Sequence, residues 1–165
     1  MEKIWKIALV VVIALFVLYQ CFWNSDEDEY KASATIPDGT ENAVVLRYKK
    51  NNEKSVTVTF SVEGDVNFAG VAGYIEYNPY ALKYESFYQI CESVYVNEAE
   101  QGKIYFAFAS DANIIEEGML FSLDFSFDVG YRGDTQLKAY IKEEDFCDAF
   151  YENVKFTVFD LNIEL

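Results

Sequence analysis

Residues 55–62 read Ser-Val-Thr-Val-Thr-Phe-Ser-Val, a strict alternation of polar and apolar side chains. Because successive side chains of a β-strand point to opposite faces, this pattern predicts a strand with one buried face and one solvated face. The same alternation recurs at residues 104–109, 120–127 and 154–158. Turn signals separate these stretches, at residues 63–65, 78–79, 101–102, 117–118 and 132–134. The sequence therefore predicts an all-β domain built as an antiparallel β-sandwich.

The composition limits what such a domain can do. The 165 residues suit one domain with a short appendage, and 52% hydrophobic residues supply ample material for a core. A net charge of -15, from 28 acidic and 13 basic residues, repels phosphate backbones, so we predict no binding to nucleic acid. The chain contains no histidine, which removes the commonest general base and excludes Ser-His-Asp catalysis. We therefore predict a protein that is not an enzyme.

The remaining reactive side chains do not predict a catalytic or metal site. The carboxylate clusters at residues 116–117 and 143–145 fall in turns, where runs of charge are usually solvated. The three cysteines are too scattered for a metal knuckle, and we predict no resident cofactor. Cys91 and Cys147 either pair or remain two separate thiols, and their spacing leaves both alternatives open.

The first forty residues differ in character from the rest. Residues 1–6 carry two lysines, residues 7–23 are almost wholly apolar, and four acidic residues follow at 26–29. This order predicts a cytoplasmic n-region, then a single transmembrane helix acting as an uncleaved signal anchor, with the domain outside the cell membrane. A lipoprotein modified at Cys21 and a cleaved signal peptide remain alternatives. Residues 24–41 read as an acidic linker.

Four segments, in order, resemble motifs of the cohesin domain family. The strand before Tyr77-Asn78-Pro79, with Leu82 three residues later, is similar to the cohesin strand that ends in Tyr-Asp-Pro. Residues 102–111 resemble a later cohesin strand, and residues 117–121 resemble the turn that begins the next strand. Residues 146–156 resemble the segment before the last strand. The resemblance covers residues 42–165, which we therefore take as a cohesin-like β-sandwich domain.

The resemblance implies a fold and a function. It implies a jelly-roll sandwich of about nine strands that docks a dockerin module, the calcium-bearing partner carried by polysaccharide-degrading enzymes of cellulosomes. Any calcium would thus belong to the partner. In the family one sheet face binds the dockerin, and the outward phase of the strands agrees with that face. Carried over to this sequence, the face consists of Gly70, Ala72, Tyr74, Glu76, Tyr105, Ala107, Ser110, Ala149, Tyr151 and Asn153.

The sequence departs from the family at several of these positions. Gly70 and Ala72 stand where cohesins of the first type have Asn and Asp, and Asn153 replaces an acid. We therefore expect recognition to depend on tyrosines instead of the usual polar groups. Exposed tyrosines also stack on sugar rings, so a carbohydrate-binding module of the related fold is one alternative. A structural surface or pilin-like subunit is another.

Overall fold

The computed structural model describes residues 30–164, except residues 33, 129 and 132. The predicted n-region and transmembrane anchor lie outside the described residues, as does Leu165. Within the described part of the chain, no helix is long and apolar enough to cross a membrane. The described residues form two six-stranded β-sheets that pack face to face, which confirms the predicted all-β sandwich.

The strands follow one another along the whole described chain. They are β1 (Lys31–Ala32), β2 (Ala43–Asn52), β3 (Ser55–Glu63), β4 (Phe68–Tyr77), β5 (Leu82–Gln89), β6 (Val94–Glu100), β7 (Lys103–Ile114), β8 (Gly118–Phe127), β9 (Thr135–Tyr140), β10 (Phe146–Cys147), β11 (Thr157–Phe159) and β12 (Leu161–Ile163). A 3-10 turn at Glu143–Asp145 separates β9 from β10. These are twelve strands in the described residues, against the nine or so predicted, because four of them contain only two or three residues.

The two sheets have distinct strand orders. The first sheet has the order β1-β2-β3-β8-β5, with β11 also on β2. The second sheet has the order β12-β9-β4-β7-β6, with β10 also on β4. Neighbouring strands are antiparallel, as predicted, except that the short strand β11 runs parallel to β2. The chain passes back and forth between the sheets, the kind of crossover that the predicted jelly roll requires.

The core forms where the apolar phases of the strands meet. Val56, Val58 and Phe60 of β3 are fully buried, as the alternation predicts. The Phe60 ring stacks on Phe121 of the same sheet with centroids 4.9 Å apart. It also meets Phe106 of the second sheet at 4.7 Å, which joins the two layers. Burying each such ring contributes about 1.5–3 kcal/mol, so the aromatic contacts between sheets are a main source of stability.

The end of the chain departs from the predicted strand at residues 154–158. Only Thr157–Phe159 pairs with β2, and the chain then crosses at Asp160 to pair β12 with β9. Val154 and Phe156 pack on the core from a loop, and the Phe156 ring stacks on Phe146 with centroids 4.8 Å apart. The apolar alternation there therefore reflects loop packing more than a strand ladder.

The two cysteines that could have paired are separate free thiols. The Cys91 thiol donates a hydrogen bond to the carbonyl oxygen of Met119 at 3.5 Å, and partial burial raises the pKa of Cys91. Cys147 lies on the second sheet, opposite Gly70 of β4. Of the two alternatives left open by the sequence, the structure therefore has the unpaired one.

Candidate docking face

The outer surface of the second sheet brings most of the predicted site residues together. In β4 these are Gly70, Ala72, Tyr74 and Glu76, none of which is fully buried. The β7 residues opposite them are, in the same order, Ala109, Ala107, Tyr105 and Lys103. The pairing creates two rows of small side chains, then a row of aromatic side chains, then a row of charged ones. We call this surface, with the adjoining outward residues of β6 and β9, the docking face.

The aromatic row has three members. Tyr140 of β9 lies opposite Tyr74, and their rings stack at a centroid distance of 4.8 Å with an interplanar angle of 17°. Tyr105 lies on the other side of Tyr74 at 5.7 Å. Neighbouring strands are about 4.8 Å apart, so rings stacked at that spacing stand upright on the sheet. One face of the Tyr74 ring is therefore stacked on Tyr140, while the Tyr105 ring is tilted against it at an interplanar angle of 46°.

The rows of small side chains form a shallow trough beside the aromatic row. Ala72 and Ala107 line a groove of about 830 Å³, together with Tyr74 and Tyr105. Tyr95, from the edge strand β6, pairs with Ala107 and is 75% exposed. The absence of long side chains in the trough lets the surface of another molecule approach the backbone closely.

The charged row closes the face at its other end. Lys103 forms an ion pair with Glu100 at 2.9 Å, and its Nζ lies 5.5 Å from the centroid of the Tyr74 ring. The hydrogen bond from Lys103 lowers the pKa of Glu100. Partial desolvation, followed by the charge of Glu76 and a hydrogen bond to it, raises the pKa of Tyr140. The Tyr140 hydroxyl therefore stays protonated at neutral pH and can donate a hydrogen bond.

Three predicted site residues lie in a turn instead of a strand. Ala149, Tyr151 and Asn153 belong to the turn 147–153, so the prediction that they occupy an outward strand phase is wrong. Asp148 causes the turn, because its Oδ1 accepts hydrogen bonds from the backbone N–H groups of residues 150 and 152, at 2.8 Å and 2.9 Å. The turn still borders the docking face, since Cys147 pairs with Gly70.

Ser110 is also placed differently from the prediction. It is one residue out of phase with Tyr105 and Ala107, and Ala109 takes the outward position next to them. The pairing of β4 with β7 shifts register at this point, between Phe68 and Gly70. The Ser110 hydroxyl oxygen accepts a hydrogen bond from the N–H of residue 112 at 3.3 Å. The Ser110 side chain thus makes a local hydrogen bond within β7 and does not contribute to the outer surface beside Tyr105 and Ala107.

Sequence reasoning missed several residues of this surface. Tyr140 follows buried Leu137 and Ala139 in the outward phase of β9, so the period-two rule could have found it. Ala109 occupies an outward position for the same reason, whereas Tyr95 is an outward tyrosine in the sequence pattern that the carried-over face did not include. Phe150 lies in the turn 147–153 and is 81% exposed, and no periodic pattern marks it. Among the described residues, no group of three or more Cys, Asp or Glu side chains is arranged to hold a metal ion.

Comparison with known proteins finds matches among solved structures but none among sequences. No family model matches the sequence, and the search of curated proteins found no match. Solved structures do match. The sixth cohesin of scaffoldin B from Acetivibrio cellulolyticus, in complex with a mutant Cel5 dockerin, has a TM-score of 0.60 and 18% identity, over 78% of this chain and 94% of that one.

Two further matches are also cohesins. The cohesin CaCohA2 from Clostridium acetobutylicum has a TM-score of 0.58 and 16% identity, over 76% of this chain and 86% of that one. A non-cellulosomal cohesin from the hyperthermophilic archaeon Archaeoglobus fulgidus has a TM-score of 0.51 and 16% identity, over 75% and 84% of the two chains. The described residues therefore have a fold like that of cohesins, which agrees with the resemblance of the sequence motifs.

Proposed function

We propose that this domain is a docking module that binds a dockerin-type protein through its docking face. The observation that carries the proposal is the upright aromatic row beside a trough of small side chains, in a domain with the cohesin fold. Interfaces between proteins concentrate their binding energy in a few aromatic anchors surrounded by contacts that exclude water. Tyr74 and Tyr105 are placed to act as such anchors, and the small side chains of the trough allow the surface of the partner to pack closely beside them.

The orientation of the rings favours a protein partner over a polysaccharide. A sugar ring stacks on an exposed aromatic face, but Tyr74 has Tyr140 on one side and Tyr105 on the other. The stack leaves little open ring face at Tyr74, and the hydroxyl groups of Tyr105 and Tyr140 hold the carboxylates of Glu100 and Glu76 beside the rings, a mixed surface that suits the side chains of a protein. The carbohydrate-binding alternative would instead use the exposed ring of Tyr95 and the end members of the row, Tyr105 and Tyr140, which have one ring neighbour each in the row.

The proposal extends to the setting of the protein. On the resemblance to cohesins, the dockerin would be carried by an enzyme of the polysaccharide-degrading machinery and would supply its own calcium. The apolar segment at residues 7–23 would hold the domain at the outer side of the cell membrane. The module itself would bind and position the partner without catalysing a reaction.

The test uses the full chain in mild detergent and a panel of calcium-loaded dockerin modules that includes the Cel5 dockerin of Acetivibrio cellulolyticus. Affinity is measured by isothermal titration calorimetry. In the double variant Tyr74→Ala, Tyr105→Ala we expect a loss of at least about 2 kcal/mol, roughly thirtyfold in Kd, because the variant removes two anchors of the face.

The matched control is the double variant Tyr80→Ala, Tyr88→Ala. Both of these tyrosines are well exposed, at 81% and 70%, and neither belongs to a strand of the second sheet. The control should bind like the unchanged protein. Equal affinity of both double variants for the dockerin would place the interface elsewhere. If no dockerin binds and the Tyr74, Tyr105 variant instead loses retention on cellulose or xylan beads, the carbohydrate-binding alternative replaces this proposal.

A further inference from the structure

Two aromatic side chains project from the turn at the edge of the docking face. Phe150 is 81% exposed and Tyr151 is 89% exposed, and we call this pair the aromatic prong. An isolated exposed apolar residue is ordinary on a protein surface, but two adjacent aromatic residues at the tip of one turn form a concentrated apolar patch. The patch adjoins the docking face through the pairing of Cys147 with Gly70.

The backbone holds the prong in a fixed position. In addition to the two hydrogen bonds at its carboxylate, Asp148 accepts one at its backbone oxygen from the Tyr151 N–H, at 3.1 Å. The Ala149 N–H donates to Asn113 Oδ1 at 2.6 Å, which ties the turn to β7. Aromatic side chains on a rigid support lose little conformational freedom when they bind, so this arrangement is suited to an anchor.

Tyr151 occupies a backbone conformation that its residue type disfavours. Its φ is +64°, in the left-handed region where glycine is the easiest residue to accommodate. Its side chain contributes little to the core, because it is almost fully exposed. For stability alone, glycine would thus be the better residue at this position. A strained residue that does not stabilise the domain indicates a role in function.

The surroundings of the prong are strongly acidic. Residues 142–153 contain five acidic residues, Glu143, Glu144, Asp145, Asp148 and Glu152, and one basic residue, Lys142, for a net charge of -4. Opposite charges around an apolar contact favour the right partner and speed its association. Lysine and arginine side chains also bind favourably over aromatic rings. The chemistry that fits the prong is therefore an apolar pocket with a basic rim.

We infer that the aromatic prong inserts into an apolar pocket rimmed by lysine and arginine on the partner, and that this contact selects among the partners of the docking face. The inference rests on the proposed docking function and adds to it the chemistry of the partner. It assigns the selective role to Phe150 and Tyr151, beside the general contact made by the sheet.

The first test is Tyr151→Gly in the full chain, measured against the same dockerin panel. The change relieves the left-handed strain, so the melting temperature should stay equal or rise, while affinity for the bound dockerin falls at least tenfold. A structural role for Tyr151 would make both quantities fall together. Phe150→Ser is the second variant and should weaken binding without lowering the melting temperature, with Tyr80→Ala as the exposed control.

The second test concerns the charge. Dockerins that bind should carry lysine or arginine around an apolar pocket. Raising NaCl from about 50 to 500 mM should lower their affinity, because salt screens the attraction between these basic residues and the acidic residues around the prong. The variant Glu143→Gln, Glu144→Gln, Glu152→Gln should flatten that salt dependence. An unchanged slope, or preference for an acidic dockerin, overturns the basic-rim assignment.

The outcomes separate this inference from the proposed function. If a dockerin binds and needs Tyr74 and Tyr105, but binds Tyr151→Gly and Phe150→Ser at full affinity, the prong has no selective role and the docking function stands. If no dockerin in the panel binds, both proposals are refuted. Weaker binding of the prong variants at unchanged stability supports the inference.

Discussion

Replacing Gly73 by alanine is the change most sharply defined by the structure of the docking face. Gly73 lies between Ala72 and Tyr74 in β4, and an added Cβ would be 2.3 Å from the backbone oxygen of Tyr140. Close carbon–oxygen contacts between strands lie at about 3.3–3.6 Å, so the two backbones would have to separate by roughly 1 Å. A side chain could turn away from such a clash, but here the clashing atom is backbone at the last residue of β9, so the end of that strand would have to move.

The cost can be worked out from two contributions. Overpacking of this kind costs typically 1–3 kcal/mol, and the loss of a ladder hydrogen bond between β4 and β9 adds about 1 kcal/mol. We therefore expect Gly73→Ala to lower the free energy of unfolding by about 3 kcal/mol and the melting temperature by roughly 6–12 °C. Urea titration followed by far-UV circular dichroism measures the free energy of unfolding, and calorimetry measures the melting temperature.

The matched control is Gly118→Ala, because an added Cβ there meets nothing within 4 Å. It should change stability by less than about 0.5 kcal/mol, or raise it slightly by restricting the unfolded chain. Gly73→Ala should also alter the near-UV spectrum, since movement of Tyr140 opens its stack on Tyr74. Equal stability of the two alanine variants would refute the close approach of β9 to β4, and with it the geometry of the aromatic row.

Two further predictions concern the core and the anchor. Phe125→Ala should cost about 3–5 kcal/mol in urea titration, because the ring is fully buried against Tyr77 and Tyr84. Asp124→Ala should lower the free energy of unfolding by only about 1 kcal/mol, because it removes hydrogen bonds from the hydroxyls of Thr57 and residue 86. Equal losses of stability in the two variants would mean that the strand phase is misassigned. The full chain should fractionate with membranes and resist carbonate extraction, and a mature N-terminus after residue 23 would contradict an uncleaved anchor.

The strand phases could be predicted from the sequence because burial in a sandwich imposes a period of two. Phe60, Phe121 and Phe125 are fully buried, as the alternation requires. The same rule places Tyr74 and Tyr105 on one surface once β4 and β7 are known to pair. The pairing of β4 with β7 depends on the long-range order of the strands, which alternation within one strand does not contain. Only the resemblance to a family predicted that these two strands share a surface.

The turn 147–153 could not be predicted in the same way. Its shape depends on one carboxylate, that of Asp148, and on a contact from Asn113, which is distant in sequence. Hydrogen bonds between a side chain and nearby backbone leave no periodic trace, so Tyr151 was expected in a strand and is found with a positive φ. Ser110 is a different case, because strict alternation from Tyr105 and Ala107 already assigns it to the other phase, and only the family motif had placed it on the face.

The position of β1 bears on how a tethered domain would present its docking face. Lys31 and Ala32, within the segment predicted as a linker, pair with Tyr48 and Arg47 of β2 in the first sheet. The docking face belongs to the second sheet, on the other side of the core. A chain entering from an N-terminal anchor would therefore reach the sandwich along an edge of the first sheet and need not cross the face that we propose to bind the partner.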